Sequence, residues 1–230
     1  MITTDRFVFL HLHKSGGTFV NECLLRCVPG SKQVGYHLPR MFVPPSHAHL
    51  PVIGFVRSPW SYYVSWYSFQ KQRPRPNVLF SVLSEDDTLD FSATIRNMLT
   101  LADDESKIRR IFAGLPTAYS NRGLNLPGFA LLPIRGSGLG FYSFLERHVH
   151  GDEPHRHIGR MERLRAELPQ LLEKVSQPVT DTLARFIGQE PKRNTSTHAT
   201  YVDYYDSALR ALVAERDGAL IERMGYRFGD

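Results

Sequence analysis

Phe7-Val-Phe-Leu-His11-Leu-His13-Lys14-Ser-Gly16-Gly17-Thr18-Phe19 joins an apolar, β-prone run to a lysine, two glycines and a threonine. A strand this apolar is a buried one. The lysine after it supplies a cation, the glycines let a ligand approach the backbone, and Thr18 stands where a helix would present its N-terminal N–H groups to an anion. A second segment, Val52-Ile-Gly-Phe-Val-Arg57-Ser-Pro59-Trp-Ser-Tyr-Tyr-Val-Ser65, repeats the strand-to-helix plan. Arg57 closes the apolar run where a guanidinium can fork onto phosphate oxygens, and Pro59 suits the first turn of a helix. Continuing that helix through Tyr62, Tyr63, Trp66 and Phe69 puts Ser65 about two turns from its start. Strand and helix alternate over residues 6–69, the pattern of a parallel sheet wrapped by helices.

Lys14 precedes Gly16 and Gly17, whereas the ordinary P-loop places its lysine after the glycines; the order argues against an ATPase or GTPase. Lys14-Ser15-Gly16-Gly17-Thr18 resembles the K-x-G-x-T phosphosulfate loop of sulfotransferases, which use 3′-phosphoadenosine 5′-phosphosulfate (PAPS) as sulfuryl donor. Arg57 and Ser65 resemble that family's arginine and serine on the donor's 3′-phosphate. The resemblance implies a single α/β domain over residues 1–230, with a P-loop-NTPase-like central parallel sheet flanked by helices. It implies that Lys14, Ser15, Gly16, Gly17 and Thr18 hold the phosphosulfate. Phe19 matches a position that carries a tryptophan under the adenine ring in some relatives; core packing is its other use.

At 230 residues, 42% hydrophobic and 22% charged, the chain has the composition of a soluble globular protein. No membrane-spanning run and no signal peptide is visible, so a cytoplasmic protein is expected. Cys23 and Cys27 lie one helical turn apart, read as free thiols rather than a disulfide or a metal site. Net charge is +5, and residues 1–84 hold nine Lys and Arg against Asp5 and Glu22 only. Such a field suits a donor with two phosphates and a sulfate, and would also suit an anionic glycan. No zinc finger, RNP motif or basic helix accompanies it, so nucleic acid is not an expected partner.

Residues 70–90 and 114–141 read as exposed excursions and are assigned to the acceptor side; a helix is expected over 91–113. His157 to Glu162 reads as a short strand, and Leu164, Leu168, Leu171, Leu172 and Val175 mark a one-sided helix. Met161-Glu162-Arg163-Leu164 resembles the acidic strand end found before such a helix in sulfotransferases. Asn194-Thr-Ser196-Thr-His198-Ala-Thr-Tyr201, followed by a final helix to Gly225-Tyr226, resembles the ending of carbohydrate sulfotransferases that act on glycosaminoglycan-like sugars.

Sulfuryl transfer needs a donor held in line, stabilised charge on the leaving phosphate, and a base for the acceptor hydroxyl. Lys14 is assigned to the leaving-group side. His37, in Gly35-Tyr-His-Leu-Pro39, is chosen as general base: imidazole titrates near neutral pH, and relatives carry a catalytic histidine in a similar context. His13, His11, Glu162 and Glu22 are its rivals, while His47 and His49 read as surface residues. Ser58 replaces the aspartate common in relatives, and the glycine-rich Arg-Lys-Gly ending of the small-molecule branch is missing; Lys192 and Arg193 are candidates to substitute for its phosphate contacts, a solvated loop being the favoured reading of them. The expected activity is transfer from PAPS to a hydroxyl, on a carbohydrate, without a metal. The other readings are a nucleotide-dependent phosphotransferase and a non-catalytic polyanion-binding module on the same scaffold.

Overall fold

In a computed structural model, which describes residues 1–121, 123–152, 155–190 and 200–230, Thr4 closes a tight turn. Its hydroxyl donates to Phe7 O (2.8 Å) and accepts from Phe7 N (3.0 Å). That turn folds β1 (Ile2–Thr3) antiparallel onto β2 (Val8–Leu10), with Ile2 opposite Phe9. After β2 come α1 (Gly17–Cys27), β3 (Lys32–Gln33), β4 (Val52–Val56) and α2 (Pro59–Lys71). Next are α3 (Val78–Leu83), α4 (Phe91–Leu99), α5 (Glu105–Gly114), α6 (Gly128–Leu131) and α7 (Phe141–His150). The chain ends with β5 (Arg156–Arg160), α8 (Leu164–Lys174), α9 (Asp181–Gln189), α10 (Ser207–Arg216) and α11 (Gly218–Met224).

The sheet order is β3-β1-β2-β4-β5. The expected parallel sheet is its β2-β4-β5 part, with Leu10 opposite Gly54 and Gly54 opposite Ile158. β1 and β3 pair antiparallel and make the sheet mixed. A four-residue connection between β1 and β2 is too short for a parallel crossover, so the antiparallel pairing follows from the Thr4 turn. All of β2 and β4 is buried, as expected for strands covered on both faces.

The residues gather in two compact units. One comprises Met1–Arg57, Asn121–Asn125 and Glu146–Thr195; the other comprises Ser58–Ser120, Leu126–Leu145 and Ser196–Asp230. In the first, Phe9, Ile53 and Phe55 pack with Val20, Leu24, Leu168, Leu172 and Phe186 from α1, α8 and α9. Gly54 makes room for His150, whose imidazole a Cβ there would strike. His150 Nδ1 lies 3.3 Å from the carboxylate of buried Glu146, which also accepts from Arg156 (3.3 Å).

In the second unit every residue of α2 except Phe69 and Lys71 is buried, which makes it a central helix rather than a surface one. Tyr63 Oη donates to the fully buried Asp217 (2.7 Å), whose other oxygen accepts from Ser143 N (2.9 Å), and Tyr62 stacks on Tyr142 at 3.8 Å. The expected helix over 91–113 is two helices, because Asp104 caps α5 by accepting from Lys107 N (2.9 Å). The expected final helix likewise breaks at Asp217. Residues 70–90 are exposed only in part. Lys71 to Arg75 face solvent, but Asn77 caps α3, and Leu79, Phe80, Val82 and Leu83 are core. In 114–141 the same holds for Leu126, Ala130, Leu131 and Ile134. Among the described residues no helix is long and apolar enough to cross a membrane.

Candidate active site

The turn after β2 carries two left-handed residues, Lys14 (φ 60°) and Gly16 (φ 77°), the second being the N-cap of α1. A Cβ on Gly16 would also stand 2.6 Å from Leu164 Cδ1, so the turn lies against the start of α8. At Gly17 the glycine is required for another reason, since a Cβ would enter the imidazole of His11. Ligand approach, the reason expected from sequence, is thus joined by a packing reason at each glycine. Ser15 is buried and turns its hydroxyl to His13 O (3.4 Å); Thr18 is half-buried. Phe19 is core, 5.6 Å from Phe186, with the Arg165 guanidinium 5.2 Å from its ring centroid. Packing, the second of its two expected uses, is the one the structure displays.

Lys14 and Arg57 follow the C-terminal ends of adjacent parallel strands, which is where open α/β sheets place ligands. Burial, and then the neighbouring Arg57 charge, lower the Lys14 ammonium to about 8. A non-glycine residue held at φ 60° costs on the order of 1–2 kcal/mol and persists only where its surroundings impose it. Two cations brought together in this way fit a phosphate or phosphosulfate, whose charge lowers the cost of both. A bound anion raises the Lys14 pKa, so binding takes up a proton once the free lysine has lost its own. If 3′-phosphoadenosine 5′-phosphate (PAP) is that anion, its dissociation constant should be flat below pH 7.5 and rise above about pH 8, approaching tenfold per pH unit. Calorimetric titration from pH 6.5 to 9.5 checks this; a flat profile would remove Lys14 from the anion site. Ser65 belongs to the other unit, where it is buried on α2 with no hydrogen-bond partner for Oγ among the described residues.

Three histidines that the sequence offers as rivals form one cluster. The His37 ring centroid lies 4.2 Å from that of His11 and 5.4 Å from that of His13. Asn21 Nδ2 donates to His11 Nδ1 (3.4 Å), so the His11 proton sits on Nε2. His37 Nδ1 donates to His11 O (2.8 Å), which leaves its Nε2 with a lone pair. Burial lowers the His37 imidazole to about 4, against the smaller raising effect of that hydrogen bond, and lowers His11 well below the usual range. Both rings are neutral at pH 7. His37 is thus a buried acceptor of fixed tautomer, the state a general base requires.

The other rivals are placed differently. Glu22 pairs with Arg26 (2.6 Å) along α1, Glu162 is exposed, and His47 and His49 lie in the loop before β4, His49 exposed. Cys23 is buried, its thiol pushed up to about 12 by burial and by Cys27, and both thiols are free. Lys192, Arg193, Asn194, Ser196 and His198 lie outside the described residues; Tyr201 is described, in a short turn. Among the described residues no three His, Cys, Asp or Glu side chains are grouped to hold a metal ion.

A groove of about 420 Å³ beside His37 is lined by Gln33, Val34, Gly35, Tyr36 and Asn121. Another hollow, of about 490 Å³, lies at the end of α8. Its lining includes Glu173 and no Lys or Arg, the wrong charge for a phosphate. Asn121 and Asn125, which bond the backbone of Tyr36, went unnoticed in the sequence; an Asn-Arg-Gly turn signature was their only trace there.

No protein-family model and no curated protein matches the sequence. Among solved structures the chain is similar to the mouse sulfotransferase SULT7A1 complexed with PAP, at 12% identity and a TM-score of 0.46, over 96% of this chain and 87% of that one.

Proposed function

We propose that the protein is a PAPS-dependent sulfotransferase acting on a hydroxyl, with a carbohydrate as acceptor. One observation carries the reading: Lys14 and Arg57 converge at the ends of β2 and β4, and the neutral, buried His37 lies beside the turn that bears Lys14. The donor brings the sulfuryl group. His37 Nε2 takes the acceptor hydroxyl proton as that oxygen bonds to sulfur. Lys14 neutralises the charge left on the 5′-phosphate oxygen as the old sulfur–oxygen bond breaks. Arg57 is assigned to the 3′-phosphate, and the backbone of Gly16, Gly17 and Thr18 to the phosphosulfate. What supports a sugar acceptor is the groove beside His37, whose amides and tyrosine ring are groups that bind sugar hydroxyls and C–H faces.

Thermal unfolding with PAP, AMP and ATP tests the donor assignment. At a hundred times its dissociation constant PAP should add about 2.7 kcal/mol, or roughly 5–10 °C. AMP, lacking the 3′-phosphate, should give little. Arg57→Ala should weaken PAP by roughly 10- to 100-fold, the cost of a charge-assisted hydrogen bond. An equal shift with ATP would favour a phosphotransferase. Salt-sensitive polyanion binding that survives Lys14→Ala and Arg57→Ala, without turnover, would favour the binding module.

A further inference from the structure

His37 has φ 51°, a left-handed conformation uncommon outside glycine that persists where the surroundings impose it. The peptide groups before it are held from a distant segment. Asn121 Oδ1 accepts from Tyr36 N (3.1 Å), and Asn125 Nδ2 donates to Tyr36 O (2.7 Å). The two asparagines are tied to one another, since Asn121 N donates to Asn125 Oδ1 (3.1 Å). Asn121, Gly123 and Asn125 are all left-handed, with φ of 58°, 56° and 51°. Asparagine and glycine tolerate that region, so these three residues adopt without strain the backbone that presents both amides. Asn125 is 5% exposed, and the amide bonds at Tyr36 N and O bracket the residue immediately before His37. Gly35 completes the fit: a Cβ there would stand 2.5 Å from Asn121 Oδ1. On the other side, His11 O fixes Nδ1 of the same imidazole.

We propose that Asn121 and Asn125 form a clip that positions His37, holding its backbone left-handed and its ring on the His11 carbonyl, so that Nε2 keeps the lone pair. Asn125 is a positioning residue, while Asn121, which also lines the groove beside His37, positions it through the bond to Tyr36 N. The proposal rests on the reading of His37 as the base.

Asn125→Asp keeps the size and the acceptor for Asn121 N but replaces the donor to Tyr36 O with a second acceptor. Asn121→Ala removes the bond to Tyr36 N and leaves the buried Asn125 in place. Each variant is compared with wild type in three readouts. The first is kcat and donor KM, the second is the PAP thermal shift, and the third is ¹⁵N resonances of the imidazoles, with His37 assigned by His37→Asn. The expected result is a kcat lower by about 10- to 100-fold with donor KM and PAP shift nearly unchanged, as for a displaced base. The His37 ring signal should also move from one Nδ1–H tautomer toward a mixture. An unmoved His37 signal and unchanged kcat in folded variants overturn the clip, as does a loss spread equally over kcat and PAP binding. Should Asn125→Asp fail to fold, Asn121→Ala decides by the same readouts. Should wild type show no sulfuryl transfer, the functional reading falls, and the ¹⁵N signals alone still decide whether the asparagines hold His37.

Discussion

On the proposed function, His37→Asn is expected to lower kcat by roughly two to four orders of magnitude and to leave PAP binding intact. Asparagine is the substitution of choice because it tolerates the left-handed backbone at this position and so removes the base without imposing strain. The pH profile gives the same residue a second signature. With the free imidazole at about 4, kcat/KM is flat through neutrality and falls tenfold per pH unit below about pH 4. An anion bound near Lys14 favours the imidazolium, so the acid limb of kcat lies above that of kcat/KM. Stability responds in the same window. The unfolded chain binds a proton at His37 below its usual value of 6.5, and the folded chain only near 4, so stability falls as pH drops from 6.5 to 4. The share from His37 is about 3 kcal/mol, absent in His37→Asn. Stopped-assay kinetics and acid denaturation of the two proteins measure these effects; equal losses of PAP binding and turnover would refute the assignment of His37 as base.

On the same reading, Lys14→Ala is expected to cost about 10²- to 10³-fold in kcat, the scale of one lost donor to a developing anion, and to weaken PAP as well. Its alkaline limb, near pH 8 in kcat/KM of wild type, disappears with the lysine. Lys14→Gly separates chemistry from backbone strain. It is as inactive as the alanine variant yet more stable than it by about 1 kcal/mol, some 2–4 °C, because glycine adopts φ 60° without a Cβ penalty. A glycine variant that retains turnover would show that the ammonium has no part in the reaction.

The strand-to-helix turns were readable because their signals are local. An apolar run, a cation and a glycine or proline within a few residues specify both turns, and β2, α1, β4 and α2 stand where Phe7–Phe19 and Val52–Phe69 place them. The same holds for β5 and α8, expected from His157–Glu162 and the leucine stripe of 164–175. Residues 70–90 read as exposed because Gln70 to Pro76 dominates their composition, while the four buried apolar residues of α3 gain their meaning only from the core they enter.

Chain order alone is enough to place Lys14 and Arg57 after two buried strands and to mark the surroundings as basic, since charge and short-range backbone preference reside in neighbouring residues. Which histidine is buried as a neutral hydrogen-bond acceptor depends on residues far apart in the chain. His11 lends a carbonyl to His37 across 26 positions, and Asn121 and Asn125 reach Tyr36 across 85 and 89. The rings of His11 and His150 explain Gly17 and Gly54 in the same way. Tautomer and lowered pKa arise from burial and from hydrogen bonds to groups brought close by folding, and neither exists until the sheet has assembled around them.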